Sequence, residues 1–353
     1  MTKGKIALLY GPNDLRIEEV TVPDPRPDQI LIKMKAAGIC GSDVECFEGK
    51  SKEGRYDIAP YTPGHEWAGQ AVAVGKDVTT IKVGDKVTGD CVLPCFRCEN
   101  CKRGLMPAAC LNFREVGFTP GAGGGMGEYL ILEEPYVHRL PADWSFEEGA
   151  LVEPFSISHW GVWGPGGYVD ASDDVVIFGS GPIGLGALIV CKTASARVIV
   201  FEPLASRREI ARKFGADVVL DPYAVANITA EVAKNTSTSR GATLIVECSG
   251  NDDAITSLFD VAGLQPRMRL IGHSIGRKVP TEIGKTIWRG ISIYGQGGIS
   301  YHMPRVITFM DRARQRVNLR DLITHRYAFE DIHAAFDMAV HKKAEAMKVM
   351  LTF

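Results

Sequence analysis

The sequence predicts an α/β protein in two parts, one β-rich and one a doubly wound parallel sheet with helices on both faces. Three observations predict it. The first part, about 150 residues, carries short strand-like runs separated by Gly/Pro turns. From about residue 174, apolar strand patterns alternate with helical ones. Between such a strand and helix lies Gly179-Ser180-Gly181-Pro182-Ile183-Gly184, a glycine spacing that suits a tight turn into a helix N-terminus.

The elements follow in order. Strands are expected at 29–36, 68–74 and 86–89. Residues 175–178 form a continuous apolar run, as a strand buried on both faces requires. A helix over 183–193, a strand over 198–201 and a helix over 206–214 continue the alternation. Further strands are expected at 218–220, 244–246 and 268–271. The last segment, 305–353, mixes a helix over 330–341 with a closing strand over 348–353. No internal repeat and no low-complexity tract interrupts this order.

At 353 residues the chain is long enough for two domains. Its net charge of −2 offers no electrostatic footing for nucleic acid or an anionic membrane. The longest apolar run, 175–190, is short and broken by five Gly and Pro residues, so no membrane span is expected. The N-terminal residues lack the apolar stretch of a secretory signal, and a cytoplasmic location follows as the expectation. Nine cysteines are many for such a compartment. Four cluster at Cys95, Cys98, Cys101 and Cys110, which in a reducing environment reads as a metal site before a disulfide framework. Cys46, Cys91, Cys191 and Cys248 read as small buried hydrophobes.

A second set of metal-type residues is scattered along the chain. Cys40 lies in Gly38-Ile39-Cys40-Gly41-Ser42-Asp43, His65 and Glu66 in Gly64-His65-Glu66-Trp67-Ala68-Gly69, and Glu153 in Leu151-Val152-Glu153-Pro154. One thiolate, one imidazole and two carboxylates are ligand types that zinc takes where it keeps a position open for substrate. Zinc there is a Lewis acid for an alcohol oxygen, with a nicotinamide as hydride acceptor.

The glycine fingerprint supplies that acceptor's site. Gly179 allows the tight turn, Gly181 lets the backbone approach a pyrophosphate, and Gly184 permits close helix–strand contact. Pro182 and Ile183 open the helix, whose N-terminus favours phosphate charge. Glu202 ends the next strand about 20 residues on, where an acid bonds the adenosine ribose hydroxyls. A carboxylate repels a 2′-phosphate, so NAD is expected over NADP. Arg207 and Arg208 follow and soften that preference if they reach the ribose. Gly272, just after the strand at 268–271, completes the candidate cofactor residues.

With these motifs the chain resembles the zinc-dependent medium-chain alcohol dehydrogenases from end to end. Gly64-His65-Glu66-Trp67-Ala68-Gly69, with Gly75 and Val78, fits the family's zinc signature. Glu153-Pro154-Phe155-Ser156 resembles the Glu-Pro-Leu-Ser element of its polyol (sorbitol) dehydrogenase branch. The resemblance implies a GroES-like β-rich catalytic domain, residues 1–156 and 300–353, and a Rossmann NAD-binding domain, residues 157–299. It implies Cys40, His65 and Glu66 as direct zinc ligands, with Glu153 either a fourth ligand or a base holding zinc-bound water. Ser42 is similar to the family's hydroxyl that takes the alcohol proton. Where the family often carries a histidine as the outer end of the relay, this chain has Glu45, so either Glu45 or solvent completes it. Cys95, Cys98, Cys101 and Cys110 resemble the family's structural zinc lobe, one residue longer here. Two zinc ions, one catalytic and one structural, and a homo-oligomer, dimer or tetramer, are implied.

The remaining candidates read as structural. His159 lies six residues after Glu153, about 240° around a helix and on the opposite face, whereas Trp160 shares the face of Glu153. His138, His325 and His333 read as packing or surface residues, and His302 stays open. The glycines of 121–127 form either a plain turn or a loop over the cleft. Carboxylates in place of a thiolate point to a polyhydroxylated substrate, a polyol, sugar or cyclitol. The sorbitol enzymes' Arg-Tyr pair is missing from Tyr294-Gly295-Gln296-Gly297-Gly298-Ile299, and the glycines leave room for a ring. Threonine, an aldose or a phosphorylated polyol are the alternative substrates. A catalytically silent, crystallin-like NAD-binding relative is the alternative of another class.

Overall fold

The computed structural model describes residues 2–50, 59–164, 168–272, 276–296, 302–342 and 344–353. The chain divides into two compact units, Met1–Glu153 with Gly297–Arg312 and Asn318–Phe353, and Pro154–Gln296 with Ala313–Val317.

The first unit is built on a seven-stranded sheet. Its order is Ile323–Ala328, Lys348–Thr352, Gln29–Ile39, Glu66–Val74, Lys86–Gly89 and Val137–Arg139, with Tyr129–Glu133 also paired to Gln29–Ile39. Strand Gln29–Ile39 runs three residues past the expected end. Its last turn of small residues pairs on both sides, Gly38 with Glu66 and with Met350, and this pairing outweighs the weak strand preference of glycine. Ile30, Ile32, Met34, Trp67, Leu130 and Leu132 fill one core. Fully burying each such aliphatic side chain is worth about 1.5–3 kcal/mol. A hairpin, Thr2–Gly11 with Asp14–Val22, precedes the sheet, with Asn13 at φ 60° in its turn. The helix expected over 330–341 divides into a 3₁₀ turn, Phe329–Asp331, and a helix, Ile332–His341. Buried Phe329 stacks on Phe353 at 4.9 Å, and the tighter turn delivers it to that contact.

The second unit holds a six-stranded, wholly parallel sheet. Its order is Val218–Leu220, Arg197–Phe201, Asp174–Phe178, Ala242–Glu247, Ala262–Leu270 and Ser292–Gly295. This is the doubly wound order, whose reversal lies beside Asp174–Phe178, and ligands of such sheets bind at the carboxyl ends of the strands there. Every residue of Asp174–Phe178 is buried, as the apolar run predicts. Gly181 caps helix Pro182–Thr193, and Pro182 sits in its first turn, where a missing N–H costs nothing. Among the described residues no helix is long and apolar enough to cross a membrane.

Candidate metal centre and cofactor cradle

Two segments of the first unit converge where strands end. Strand Gln29–Ile39 runs into Cys40, which caps the short helix Gly41–Phe47. The antiparallel neighbour begins at Glu66, opposite Gly38. A side chain at Gly38 would begin 2.2 Å from a Glu66 carboxylate oxygen, so glycine there leaves that carboxylate its place. The sulfur of Cys40, a ring nitrogen of His65 and a carboxylate oxygen of Glu66 all lie within 4.8 Å of one another. Sulfur, nitrogen and oxygen donors at that spacing fit a zinc ion. Glu153 lies outside this tight set, buried at the start of helix Val152–Trp163.

Asp43, which the motif analysis passed over, holds the centre's geometry. It is buried; its Oδ2 accepts the Cys40 amide at 2.9 Å and its Oδ1 the Gly64 amide at 3.2 Å. One carboxylate thereby ties together the two segments that carry the thiol and the imidazole. Asp43 Oδ1 also stands 3.8 Å from His65 Nδ1, too far for a hydrogen bond but close enough for the two charges to attract. The signal was available: Asp43 is the third helical residue after Cys40, a capping-box position.

Electrostatics bind the group together. Burial pushes the Glu153 carboxyl up to about 7, with Glu66 and Asp43 adding to the shift against His65 and Lys348. Burial opposes a charged His65, yet the carboxylate of Asp43 and the thiol of Cys40 hold its imidazole well above the ordinary value. Lys348, at the start of strand Lys348–Thr352, is the second residue that motif reading missed. Its buried ammonium lies 2.6 Å from both oxygens of Glu66.

The four thiols also come together. Cys95, Cys98, Cys101 and Cys110 share one 4.8 Å cluster, with sulfurs 3.4 Å apart for Cys98–Cys101 and 3.8 Å for Cys98–Cys110. A tetrahedral zinc with four thiolates sets its sulfurs about 3.8 Å apart. The backbone N–H of Arg97 leads the groups that draw Cys95 down to about 6. Burial and the neighbouring sulfurs push Cys101 up to about 12, a repulsion that a divalent ion reverses.

In the second unit a cavity of about 610 Å³ is lined by Gly179, Gly181, Glu202, Arg207, Tyr223 and their neighbours. Gly179 has φ 88°, a conformation that favours glycine. Glu202 is buried and closes the loop: its Oε2 accepts the Ser180 amide at 2.7 Å and its Oε1 the Leu204 amide at 3.0 Å. Arg208 does not reach into the cavity chemistry anticipated for it. Its guanidinium donates to the carbonyls of Glu202 and Pro203 and pairs with Asp221 at 3.0 Å, which leaves Arg207 as the arginine facing the cavity. Gly272 does not line this cavity and packs against Gly250 and Glu247 instead.

The other candidates fall as follows. Ser42 and Glu45 lie on helix Gly41–Phe47, Glu45 exposed. His138 Nε2 is 3.0 Å from Asp90, and His333 is exposed. His302 is buried, and that burial, with Arg305, brings its imidazole down to about 4. The glycines of 121–127 are pinned beneath the His65 segment, with Gly125 N donating to the Gly64 carbonyl at 2.7 Å. Of the segment 294–299, residues 297–299 lie outside the described residues; Tyr294 does carry an arginine, with Arg269 stacked 4.7 Å over its ring.

Comparisons with known proteins agree with this architecture. Residues 26–142 match the alcohol dehydrogenase GroES-like domain, and residues 182–312 match the zinc-binding dehydrogenase family. A sorbitol dehydrogenase from Bacillus subtilis (strain 168) is 31% identical over 352 residues, covering 98% of this chain and 96% of that protein. A D-arabitol-phosphate dehydrogenase from Enterococcus avium is 29% identical, covering 99% and 97%. The crystal structure of a zinc-binding dehydrogenase from Sinorhizobium meliloti 1021, bound to NADP, superposes with a TM-score of 0.89 at 26% identity over all of both chains. Carrying the GroES-like and dinucleotide-binding halves in one chain, and aligned almost end to end with such a relative, the protein belongs to the zinc-dependent medium-chain alcohol dehydrogenase family, in its polyol dehydrogenase-like branch.

Proposed function

We propose that the protein oxidises a secondary alcohol of a polyol, sugar or cyclitol to the ketone, with NAD as hydride acceptor. The observation that carries this reading is the Cys40–His65–Glu66 donor set, in a chain that also bears the Gly179 cradle closed by Glu202. We assign catalysis to residues 1–156 and 300–353 and NAD binding to residues 157–299, bounds that depart from the two compact units by three residues at each junction and at Ala313–Val317.

Bound zinc supplies Lewis-acid polarisation of the alcohol. Cys40, His65 and Glu66 hold the ion, with Glu153 as fourth ligand or as base. Asp43 ties the backbone before His65 to that of Cys40 and so positions the two donors. The Ser42 hydroxyl takes the proton that the alcohol gives up while releasing its own, and either Glu45, exposed on the same helix, or solvent carries that proton away. Unchanged pH–rate behaviour in Glu45→Gln would remove Glu45 from that relay. A second zinc in Cys95, Cys98, Cys101 and Cys110 is structural.

Gly179, Gly181, Pro182, Ile183, Gly184, Glu202 and Arg207 form the NAD site around the cavity, with Gly272 outside it, just past the end of strand Ala262–Leu270. The buried carboxylate of Glu202 supports NAD over NADP by repelling a 2′-phosphate. Names of relatives support a polyol: one is a sorbitol dehydrogenase, another a D-arabitol-phosphate dehydrogenase. The close spacing of Cys95, Cys98, Cys101 and Cys110, which reads as a metal site, supports a cytoplasmic protein. Strongly exposed Ile287 and Trp288, beside the edge strand Ser292–Gly295, support a homo-oligomer. A monomer in sedimentation would end that last point.

One experiment tests the whole. Zinc is counted, then NAD and NADP reduction is followed on polyols, phosphorylated polyols, cyclitols, aldoses and threonine. The expected outcome is two zincs per chain and NAD-linked ketone formation from a polyol or cyclitol. Activity on threonine alone, a clear preference for NADP, or NAD binding without turnover would each overturn the corresponding part.

A further inference from the structure

We infer that Lys348 is the resident counter-ion of Glu66 and competes with the metal for it, so that Lys348 sets how tightly the Cys40–His65–Glu66 centre holds its ion. This rests on the reading of that centre as a zinc site. The geometry leaves the ammonium little freedom. A lysine has three N–H donors. Here Nζ lies 2.6 Å from Glu66 Oε1, 2.6 Å from Oε2 and 3.2 Å from the Ile39 carbonyl. All three donors are engaged, and Lys348 is buried. Its strand is held in register beside Gln29–Ile39, with Val349 opposite Ile39 and Met350 opposite Gly38, so the backbone that carries the side chain is fixed beside the centre.

Glu66 therefore serves two cations. A divalent ion that takes a Glu66 oxygen comes close to a fixed positive charge, and the two repel in a site of low dielectric. In metal-stripped protein the sign reverses. Glu66 is then a buried carboxylate among Asp43 and Glu153, and Lys348 spares it an uncompensated charge. One residue thus acts oppositely on the two states, stabilising the metal-stripped protein and weakening metal binding. A purely structural ion pair would stabilise both states alike.

Lys348→Met keeps the apolar stem and removes the charge; Lys348→Arg keeps the charge. Zinc affinity is measured by chelator competition, with the four-thiol ion as internal reference, and melting is followed with and without zinc. For Lys348→Met the expected result is a lower Tm in metal-stripped protein and a larger rise on adding zinc. Its zinc affinity at this centre is expected to be about tenfold tighter, opposite in sign to the roughly 10–100-fold loss usual when a partner that supports a ligand is removed. Lys348→Arg should stay near wild type in all three. Unchanged or weaker affinity, or an unchanged or smaller zinc-induced rise in Tm, would overturn the inference. Where the methionine variant does not fold, Lys348→Gln serves with the same expectations. If wild-type protein holds only the four-thiol zinc, the reading of the centre fails rather than the competition.

Discussion

Cys40→Ala is expected to lower kcat/KM for alcohol oxidation by about a thousandfold and to leave one zinc per chain instead of the two proposed. The reasoning begins with the local structure. Cys40 is the thiol of the three-donor set and also the cap of helix Gly41–Phe47. Alanine removes the softest ligand while the amide at position 40 still donates to Asp43, so the backbone stays in place. Losing a Lewis acid costs several kcal/mol of transition-state stabilisation, and about 1.4 kcal/mol corresponds to tenfold in rate. The remaining ion is expected in the Cys95 lobe, whose sulfurs form a separate cluster. Zinc analysis and steady-state kinetics on the same sample check it. A variant that keeps two zincs and full activity would refute Cys40 as a ligand.

The second large effect lies in the cofactor cradle. In Gly184→Ala the new methyl would begin 1.9 Å from the Gly179 carbonyl oxygen, far inside contact distance, and the obstacle is backbone rather than a movable side chain. Helix Pro182–Thr193 must lift from the loop. Overpacking of this kind costs about 1–3 kcal/mol, and here the upper end is expected. For a unit of this size that shifts Tm by about 6–10 °C if the unit melts alone. The lifted helix also withdraws its N-terminus from the cofactor's phosphates, so NAD affinity should fall about tenfold or more. Melting curves and fluorescence titration with NAD read the two effects. A variant with wild-type Tm and NAD affinity would show that the close approach is unimportant.

Much of this was legible in the order of residues. The doubly wound sheet could be read because each strand of a parallel sheet is buried on both faces, and 175–178, 198–201 and 244–246 carry the apolar runs that such burial demands. The glycine loop was legible because its constraints act between neighbours. The first hairpin, Thr2–Gly11 with Asp14–Val22, was not marked, since its mixed polar strands lack a clear alternating face. Arg208 shows the limit at a single side chain. Beside the ribose acid in sequence, it is drawn instead to the carbonyls of Glu202 and Pro203 and to Asp221.

By itself the sequence determined the two-part α/β plan, the donor types of both metal clusters and the glycine cradle with its acid. Those features are encoded over a few residues, where spacing alone sets which groups can meet. Only the tertiary structure decided what surrounds Glu66. Lys348 is 282 residues away and arrives through strand register, and Asp43 reaches Gly64 across 21 residues through a helix cap. A buried carboxylate's behaviour depends on the charges brought within a few ångströms of it, and that arrangement is a property of pairing between distant strands, which spacing along the chain does not specify.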